Sequence, residues 1–351
     1  MTSGLATKRR TFLTGVAAVA ATSMFASAFS MRQAAAQQPG HAPIMRPIPK
    51  SGEMIPAIGL GTFETFDLQP GEPRDHVREV VRLFHEHGGR VIDTSPLYGM
   101  SEVCVGDFIA DLGIAEDIFI TNKTWTTGEY LSDNSHSEGQ LGQSRQRLWR
   151  DRIDVLQVHS LENHDQVRHW LAQKKAEGSV RHIGITQWSP EYYDTMERLV
   201  NTGTLDFVQI AYTILTRAAE QRLLDACAAN GVAVQVNIPF EKARLFGPVA
   251  EQSIPDFAKE MGIETWAEYF LKWIISHPAV TNVIPATSQP QHVVDNMGAL
   301  YGDLPDRATR ERMADYYTGL TGVADALKQP PYPGKKYGGV VTWPFPQAQR
   351  T

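Results

Sequence analysis

The run IDVLQVHSLEN, Ile153 to Asn163, is a short apolar stretch that ends on polar and turn-forming residues. Near-continuous apolar character, rather than strict apolar and polar alternation, marks a strand buried on both faces. Seven more runs of this kind share the chain with it: AIGLGTF (57–63), HEHGGRVIDTS (85–95), IFITNKTW (118–125), VRHIGITQW (180–188), DFVQIAYT (206–213), VAVQVNIPF (232–240) and VTNVIPATS (280–288). Segments with helical periodicity lie between them. Val77, Val80, Val81 and Phe84 follow the i, i+3, i+4, i+7 pattern after a capping Asp75 and before Gly88, and Ala267, Phe270, Leu271 and Ile274 repeat it. Eight buried strands, each followed by a helix, predict an α/β fold of the (β/α)8 TIM-barrel type. A doubly wound sheet is the rival, but GLGTFETFD after the first strand lacks the third glycine of the dinucleotide fingerprint and opens no helix.

The predicted barrel occupies residues 45–318 of the 351, and 42% apolar residues suffice for its core. Before the first barrel strand, MRPIPKSGEMIPAIG carries a Lys50-Ser51-Gly52 turn between apolar segments, which predicts an N-terminal β-hairpin plugging the barrel bottom. Residues 319–351 form a C-terminal tail whose stretch QPPYPGKKYGGVVTWPFPQ is too rich in Pro and Gly for regular helix. Cys104 and Cys227, the only cysteines, fall in predicted helices, so there is no disulfide framework or cysteine-rich metal site.

Residues 1–36 join the basic cluster Lys8, Arg9, Arg10 to a mild Ala-rich run too short and too interrupted to span a bilayer. They read as a signal peptide, with Ala34-Ala35-Ala36 before Gln37 as the cleavage site and Ala26-Ser27-Ala28 as the rival. Arg9-Arg10-Thr11-Phe12-Leu13 resembles the twin-arginine (Tat) export signal, although Lys8 stands where that signal prefers Ser or Thr. The expectation is an exported or periplasmic protein, served by the Tat machinery and without a stable membrane anchor. Residues 37–44 read as a linker. The formal charge of −6 becomes −10 once residues 1–36 are removed, which argues against a nucleic-acid partner.

In a parallel barrel, chemistry sits at the carboxyl ends of the strands. Asp93, Tyr98, Lys123 and His159 all fall there. A phenol with an ordinary pKa near ~10 is a poor acid or base at neutral pH unless a cation stabilises its phenolate. Lys123 supplies that cation in this reading, Asp93 anchors Lys123, and His159 donates a hydrogen bond to a carbonyl oxygen or relays its proton. His85 and His87 invite a metal-site reading, but an i, i+2 pair at a helix end points in two directions, so no metal is expected.

In IDTSPLYG, ITNKTW and LQVHS, these four residues resemble the catalytic tetrad of the aldo-keto reductases, a likeness that spans the whole predicted barrel. The resemblance implies NAD(P)H-dependent reduction of an aldehyde or ketone, with Tyr98 as general acid and a small-molecule carbonyl as substrate. His159 in place of a Glu favours carbonyl over C=C chemistry. The resemblance also implies a cofactor set: Gly61 and Thr62 at the end of the first strand, Thr186 and Gln187 for the family's Ser-Asn pair, Gln209 on the nicotinamide carboxamide, and Tyr212 stacked on its ring. Thr287 and Ser288 would meet phosphate ahead of a helix starting at Pro290, and Asp295 and Asn296 would contact adenine. Ala286 and His292 stand where many relatives hold the 2'-phosphate with Lys and Arg. NADP(H) is the first choice and NAD(H) the alternative. Phe63, Trp125, Trp188 and Phe240 are the expected substrate-pocket aromatics, with Trp343 of the tail folding over the mouth. The second functional reading is an exported nucleotide-binding redox sensor with little turnover.

Overall fold

Each of the eight apolar runs contains a strand in the computed structural model, which describes residues 42–126 and 133–333. A hairpin of β1 (Met45–Pro47) and β2 (Met54–Pro56) comes first. The barrel follows as β3 (Leu60–Gly61), α1 (Asp75–Glu86), β4 (Val91–Asp93), α2 (Ser101–Asp111), β5 (Phe119–Thr124), α3 (Ser135–Leu148), β6 (Ile153–Val158) and α4 (His164–Ala176). It continues through β7 (Val180–Gln187), α5 (Tyr193–Val200), β8 (Phe207–Ala211), α6 (Leu223–Ala229), β9 (Ala233–Asn237), α7 (Asp256–Lys259), α8 (Trp266–Ile275) and β10 (Val280–Val283). Helices α9 (Pro290–Gly298), α10 (Arg307–Thr318) and α11 (Val323–Ala326) complete it.

Strands β3 to β10 pair in chain order and in parallel, and parallel bridges Ile58–Val283 and Gly61–Ala286 join the last strand to the first. At that seam a side chain on Gly61 would place its Cβ 2.8 Å from the Ile284 carbonyl oxygen, so only glycine fits the approach. The predicted barrel is therefore present, and the doubly wound alternative is not. Ile48 and Ile55 of the hairpin region are buried with Val91, Phe119, Val155, Phe207 and Ala233 in a small core of their own, which places the hairpin as the expected plug. The larger core lies between sheet and helices, and Val77, Val80, Val81 and Phe84 of α1 are fully buried in it.

The local expectations fare unevenly. Asp75 does not cap α1: Arg74 holds the N-cap position and makes no side-chain cap bond, leaving Asp75 as the first helical residue, where its charge meets the positive end of the helix dipole. Gly88 does end that helix, at φ +85°. Helix α8 starts with a capping box that joins Thr265 and Glu268. The proposed linker is already part of the fold at Ile44, whose N–H donates to the Leu300 carbonyl at 2.8 Å. At the other end, α11 and the Tyr332 N–H, which donates to the Lys242 carbonyl at 2.8 Å, extend the packed chain beyond residue 318. The expected export signal with Arg9 and Arg10, and Trp343, lie outside the described residues.

Candidate active site

Strand parity decides what enters the barrel. Asp93 is the last residue of β4 and is only 3% exposed. Its Oδ2 accepts from Lys123 Nζ at 2.7 Å, and its Oδ1 accepts from Thr121 Oγ1 and Gln209 Nε2, both at 2.7 Å. Lys123, on β5, is 1% exposed and donates a second bond to the Thr94 carbonyl at 2.8 Å. A buried ion pair holds only when its remaining hydrogen-bonding capacity is also met. Here neighbouring groups meet it.

Tyr98 comes from the loop between β4 and α2. The turn is tight: Gly99 sits at φ +58°, and a Cβ there would lie 2.1 Å from Asp67 Oδ1, whose carboxylate accepts from the Met100 N–H at 2.8 Å. The phenol packs edge-on against Phe63, with centroids 5.0 Å apart, and Lys123 Nζ lies 5.1 Å from its ring centroid. Among the described residues the Tyr98 hydroxyl has no hydrogen-bond partner. Burial, and after it the Asp93 carboxylate, raises the Tyr98 pKa well above 10. The expectation was that Lys123 stabilises the phenolate; in the folded chain its ammonium is bonded to Asp93 and Thr94 and faces the ring, and desolvation dominates the pKa of the phenol.

His159 follows β6, and its ring packs edge-on against Tyr98 at 5.8 Å between centroids. Burial, followed by the charge of Lys123, pulls its pKa down to about 3, so the imidazole is neutral at ordinary pH.

Asp93, Tyr98 and His159 open into a cavity of about 1010 Å³ at the carboxyl ends of the strands, while Lys123 lies buried behind them. Its lining includes Gly61, Thr62, Phe63, Asp93, Tyr98, His159, Thr186, Gln187, Trp188, Gln209 and Phe240, and continues to Thr287, Ser288, His292, Asp295 and Asn296. A volume of that order exceeds what one drug-sized ligand needs and takes a nucleotide with a small substrate beside it. Helix α9 begins at Pro290, as expected, with Thr287 and Ser288 just ahead of it; the Thr287 hydroxyl lies 3.4 Å from His292 Nδ1 and accepts from the Gln289 N–H at 3.0 Å. Free N–H groups at such a start favour phosphate. At the other end of the cavity, amide and hydroxyl groups gather on Thr186, Gln187, Gln209 and Asn237, and Asn237 Oδ1 is buried without a partner. The donor set suits a molecule with phosphate at one end and a carboxamide at the other.

Three sequence expectations need revision. Tyr212 does not line the cavity: it is fully buried outside the barrel against Trp273 (5.3 Å between centroids), and its hydroxyl meets Glu220 and Arg310. Gln209 faces the barrel interior, and a residue three positions later along an extended chain faces the opposite way. Trp125 does not line the cavity either; its backbone N–H donates to Gln140 Oε1 at 2.8 Å, and the residues after 126 lie outside the described chain. Gln209 does line it, but its amide is committed: Nε2 also donates to Gln235 Oε1 at 2.7 Å, and Oε1 accepts from Thr186 Oγ1 at 3.1 Å and Asn237 Nδ2 at 3.2 Å. A carboxamide reaching Gln209 has to exchange one of these bonds.

Asn237, Lys242 and Tyr332 were missed by the sequence reading and line the cavity. Asn237 was visible as a polar strand-end residue in VQVNIPF. Lys242, at φ +55° with its ammonium 5.3 Å from the Trp188 ring centroid, gave no such signal. His85 and His87 form no joint site: His85 Nε2 lies 2.8 Å from Asp117 Oδ2, while the His87 carbonyl accepts from the Tyr301 hydroxyl at 3.1 Å.

Residues 57–311 match the model described as the Aldo/keto reductase family. An NADH-specific methylglyoxal reductase of Escherichia coli is 28% identical over 298 residues, covering 71% of this chain and 89% of that protein. The glycerol 2-dehydrogenase (NADP(+)) of Saccharomyces cerevisiae is 26% identical over 281 residues, covering 70% and 83%. Among solved structures, an aldo/keto reductase from Klebsiella pneumoniae in complex with NADP and acetate aligns with a TM-score of 0.65 at 25% identity, over 78% of this chain and 95% of that one.

Proposed function

The chain belongs to the aldo/keto reductase family, and on that premise we propose that it reduces an aldehyde or ketone to an alcohol at the expense of NADPH or NADH, with Tyr98 as the general acid. The observation that carries the reading is the buried Lys123–Asp93 pair beneath a phenol that borders the cavity and whose hydroxyl has no hydrogen-bond partner among the described residues. A nicotinamide dinucleotide supplies the hydride when bound. Thr287, Ser288 and the start of α9 would hold its phosphates, and Thr186, Asn237 and Gln209 would face its carboxamide.

The protein's own part is proton supply and charge. Tyr98 keeps its proton through the neutral range because its pKa is raised, and gives it up only to an oxygen becoming an alkoxide, a far stronger base. Lys123, 5.1 Å from the ring, then lowers the cost of the phenolate that remains. Asp93 keeps the ammonium charged against the burial that depresses its pKa. His159, uncharged and lining the same cavity, would donate a hydrogen bond to that oxygen. Phe63, Trp188 and Phe240 give the substrate end an apolar wall, which suits a carbonyl compound with a hydrophobic body.

NADP(H) remains the first choice, supported by the hydroxyls of Thr287 and Ser288 and by His292. NAD(H) is the alternative, supported by the uncharged Ala286. Export by the twin-arginine route is part of the proposal, supported by Arg9-Arg10-Thr11-Phe12-Leu13; fractionation of cells producing the chain and its Arg9→Lys/Arg10→Lys variant tests it, and equal export of both would overturn it. No feature of the cavity favours the low-turnover sensor.

The enzymatic test is oxidation of NADPH and NADH with methylglyoxal and aromatic aldehydes. Tyr98→Phe should lower kcat by a factor on the order of 10² to 10⁴, the range of positioned proton transfer, with nucleotide binding retained. A variant that turns over at the parent rate would remove Tyr98 from the chemistry.

A further inference from the structure

His159 owes its usefulness to a proton on one particular nitrogen. A neutral imidazole carries one N–H, and the two tautomers present opposite faces to a ligand: a donor at Nε2 with an acceptor at Nδ1, or the reverse. Only the first offers a hydrogen bond from Nε2 to a carbonyl oxygen. The structure contains the group that chooses.

Ser95 Oγ lies 3.2 Å from His159 Nδ1. Ser95 is fully buried, two residues past the end of β4. The same oxygen accepts a hydrogen bond from the Leu97 N–H at 3.2 Å. A hydroxyl has one hydrogen and two lone pairs, and Leu97 takes one lone pair. If Nδ1 carried the proton, it would occupy the second lone pair, and the Ser95 hydrogen would be left buried with no acceptor among the described residues. If Nδ1 is bare, the hydroxyl donates to it and every polar atom of the pair is satisfied. Buried donors without partners are costly and rare. The neutral state of His159 agrees, since an imidazolium would carry a proton on both nitrogens. Nε2 makes no hydrogen bond among the described residues, and His159 lines the cavity.

We infer that Ser95 is a positioning residue that fixes His159 as the Nε2–H tautomer and so makes it a hydrogen-bond donor to the substrate oxygen. Ser95 touches neither substrate nor nucleotide in this scheme; it acts through His159, and through Leu97 it ties the same hydroxyl to the loop that carries Tyr98. The inference rests on the carbonyl-reductase reading for its purpose, though not for its tautomer.

The experiment uses the full chain labelled with ¹⁵N-histidine, with His159→Gln identifying the His159 signals. Long-range proton–nitrogen correlations tell which ring nitrogen is protonated. The parent should show a bare Nδ1 and a protonated Nε2. Ser95→Ala should lose that preference and show mixed tautomers, and Ser95→Thr, which keeps the hydroxyl, should restore it. In parallel, kcat/KM for the best aldehyde should fall about tenfold in Ser95→Ala and recover in Ser95→Thr, while nucleotide Kd stays within about twofold. A parent with Nδ1 protonated, or a Ser95→Ala variant with an unchanged tautomer, overturns the inference. Failure of every aldehyde would overturn the reductase reading and leave the tautomer result to judge Ser95 alone.

Discussion

Lys123→Met should destabilise the protein more than the double change Asp93→Asn/Lys123→Met, although the double variant removes more of the native chemistry. In the single variant a carboxylate that is 3% exposed loses the one cation it pairs with among the described residues. Breaking a buried pair from one side costs about 3–5 kcal/mol because the surviving charge stays buried. In the double variant no charge remains. Because Thr121 and Gln209 both donate to the same oxygen, Asp93 Oδ1, an asparagine there keeps both bonds. The Lys123 bond to the Thr94 carbonyl is lost in both variants and cancels from the comparison; what the double variant adds is a buried amide nitrogen without a partner, about 1–3 kcal/mol. The double variant should therefore recover about 2 kcal/mol, a factor of about 30 in the folding constant. Equilibrium urea denaturation of the parent, both single variants and the double variant measures the coupling directly. A double variant as unstable as the sum of its singles would show that the pair carries no interaction energy, and the account of Lys123 as a held charge would fall with it.

Acid sensitivity should trace in part to His159. Its pKa is about 3 in the folded chain against an ordinary 6.5, so the unfolded chain takes up a proton first and stability falls as pH drops from 6.5 towards 3; His159→Gln should flatten that part of the stability–pH curve, and a curve of unchanged shape would count against the depressed value. For the reduction itself, a Tyr98 pKa raised well above 10 predicts a kcat with no phenol titration between pH 6 and 9, and a midpoint near 7 that vanishes in Tyr98→Phe would contradict it. Gly99→Ala should cost about 1–2 kcal/mol for the left-handed backbone alone, beyond the contact with Asp67, and should lower kcat at least tenfold by displacing Tyr98. Asp67→Ala should relieve only the contact, so full recovery of Gly99→Ala in that background would refute the backbone argument.

The barrel was legible because its strands are apolar on both faces, a pattern that survives without any knowledge of pairing. Asp93, Lys123 and His159 were legible for the same reason, since a polar side chain at the carboxyl end of such a strand has few places to go, and Tyr98 was legible from its place in the loop just after Asp93. What failed was orientation. Tyr212 was placed by resemblance, whereas counting from the inward Gln209 along the extended chain sends it outward to Trp273 and Arg310. Gln209 was assigned to a ligand, yet its four bonds depend on Thr186, Gln235, Asn237 and Asp93, residues 23 to 116 positions away in sequence. No local pattern records a bond of that span. Asp75 shows the smaller version of the problem: a residue suited to capping sits one position inside the helix because the chain enters from Arg74.

The amides inside the barrel have a direction. Asn282 Nδ2 donates to the Pro56 carbonyl at 2.7 Å, Gln235 Nε2 donates to Asn282 Oδ1 at 3.2 Å, and Gln209 Nε2 donates to Gln235 Oε1. A peptide carbonyl can only accept, so Pro56, in the hairpin at the barrel floor, dictates which way Asn282 turns, and each amide then dictates the next, like compass needles aligned from one end. By the time the line reaches the mouth, Gln209 can show Asp93 only its nitrogen and Thr186 and Asn237 only its oxygen. The hairpin that closes the bottom thereby sets the polarity of the top, and a rearrangement at Pro56 would be felt at the carboxylate holding Lys123 without any movement of the strands between.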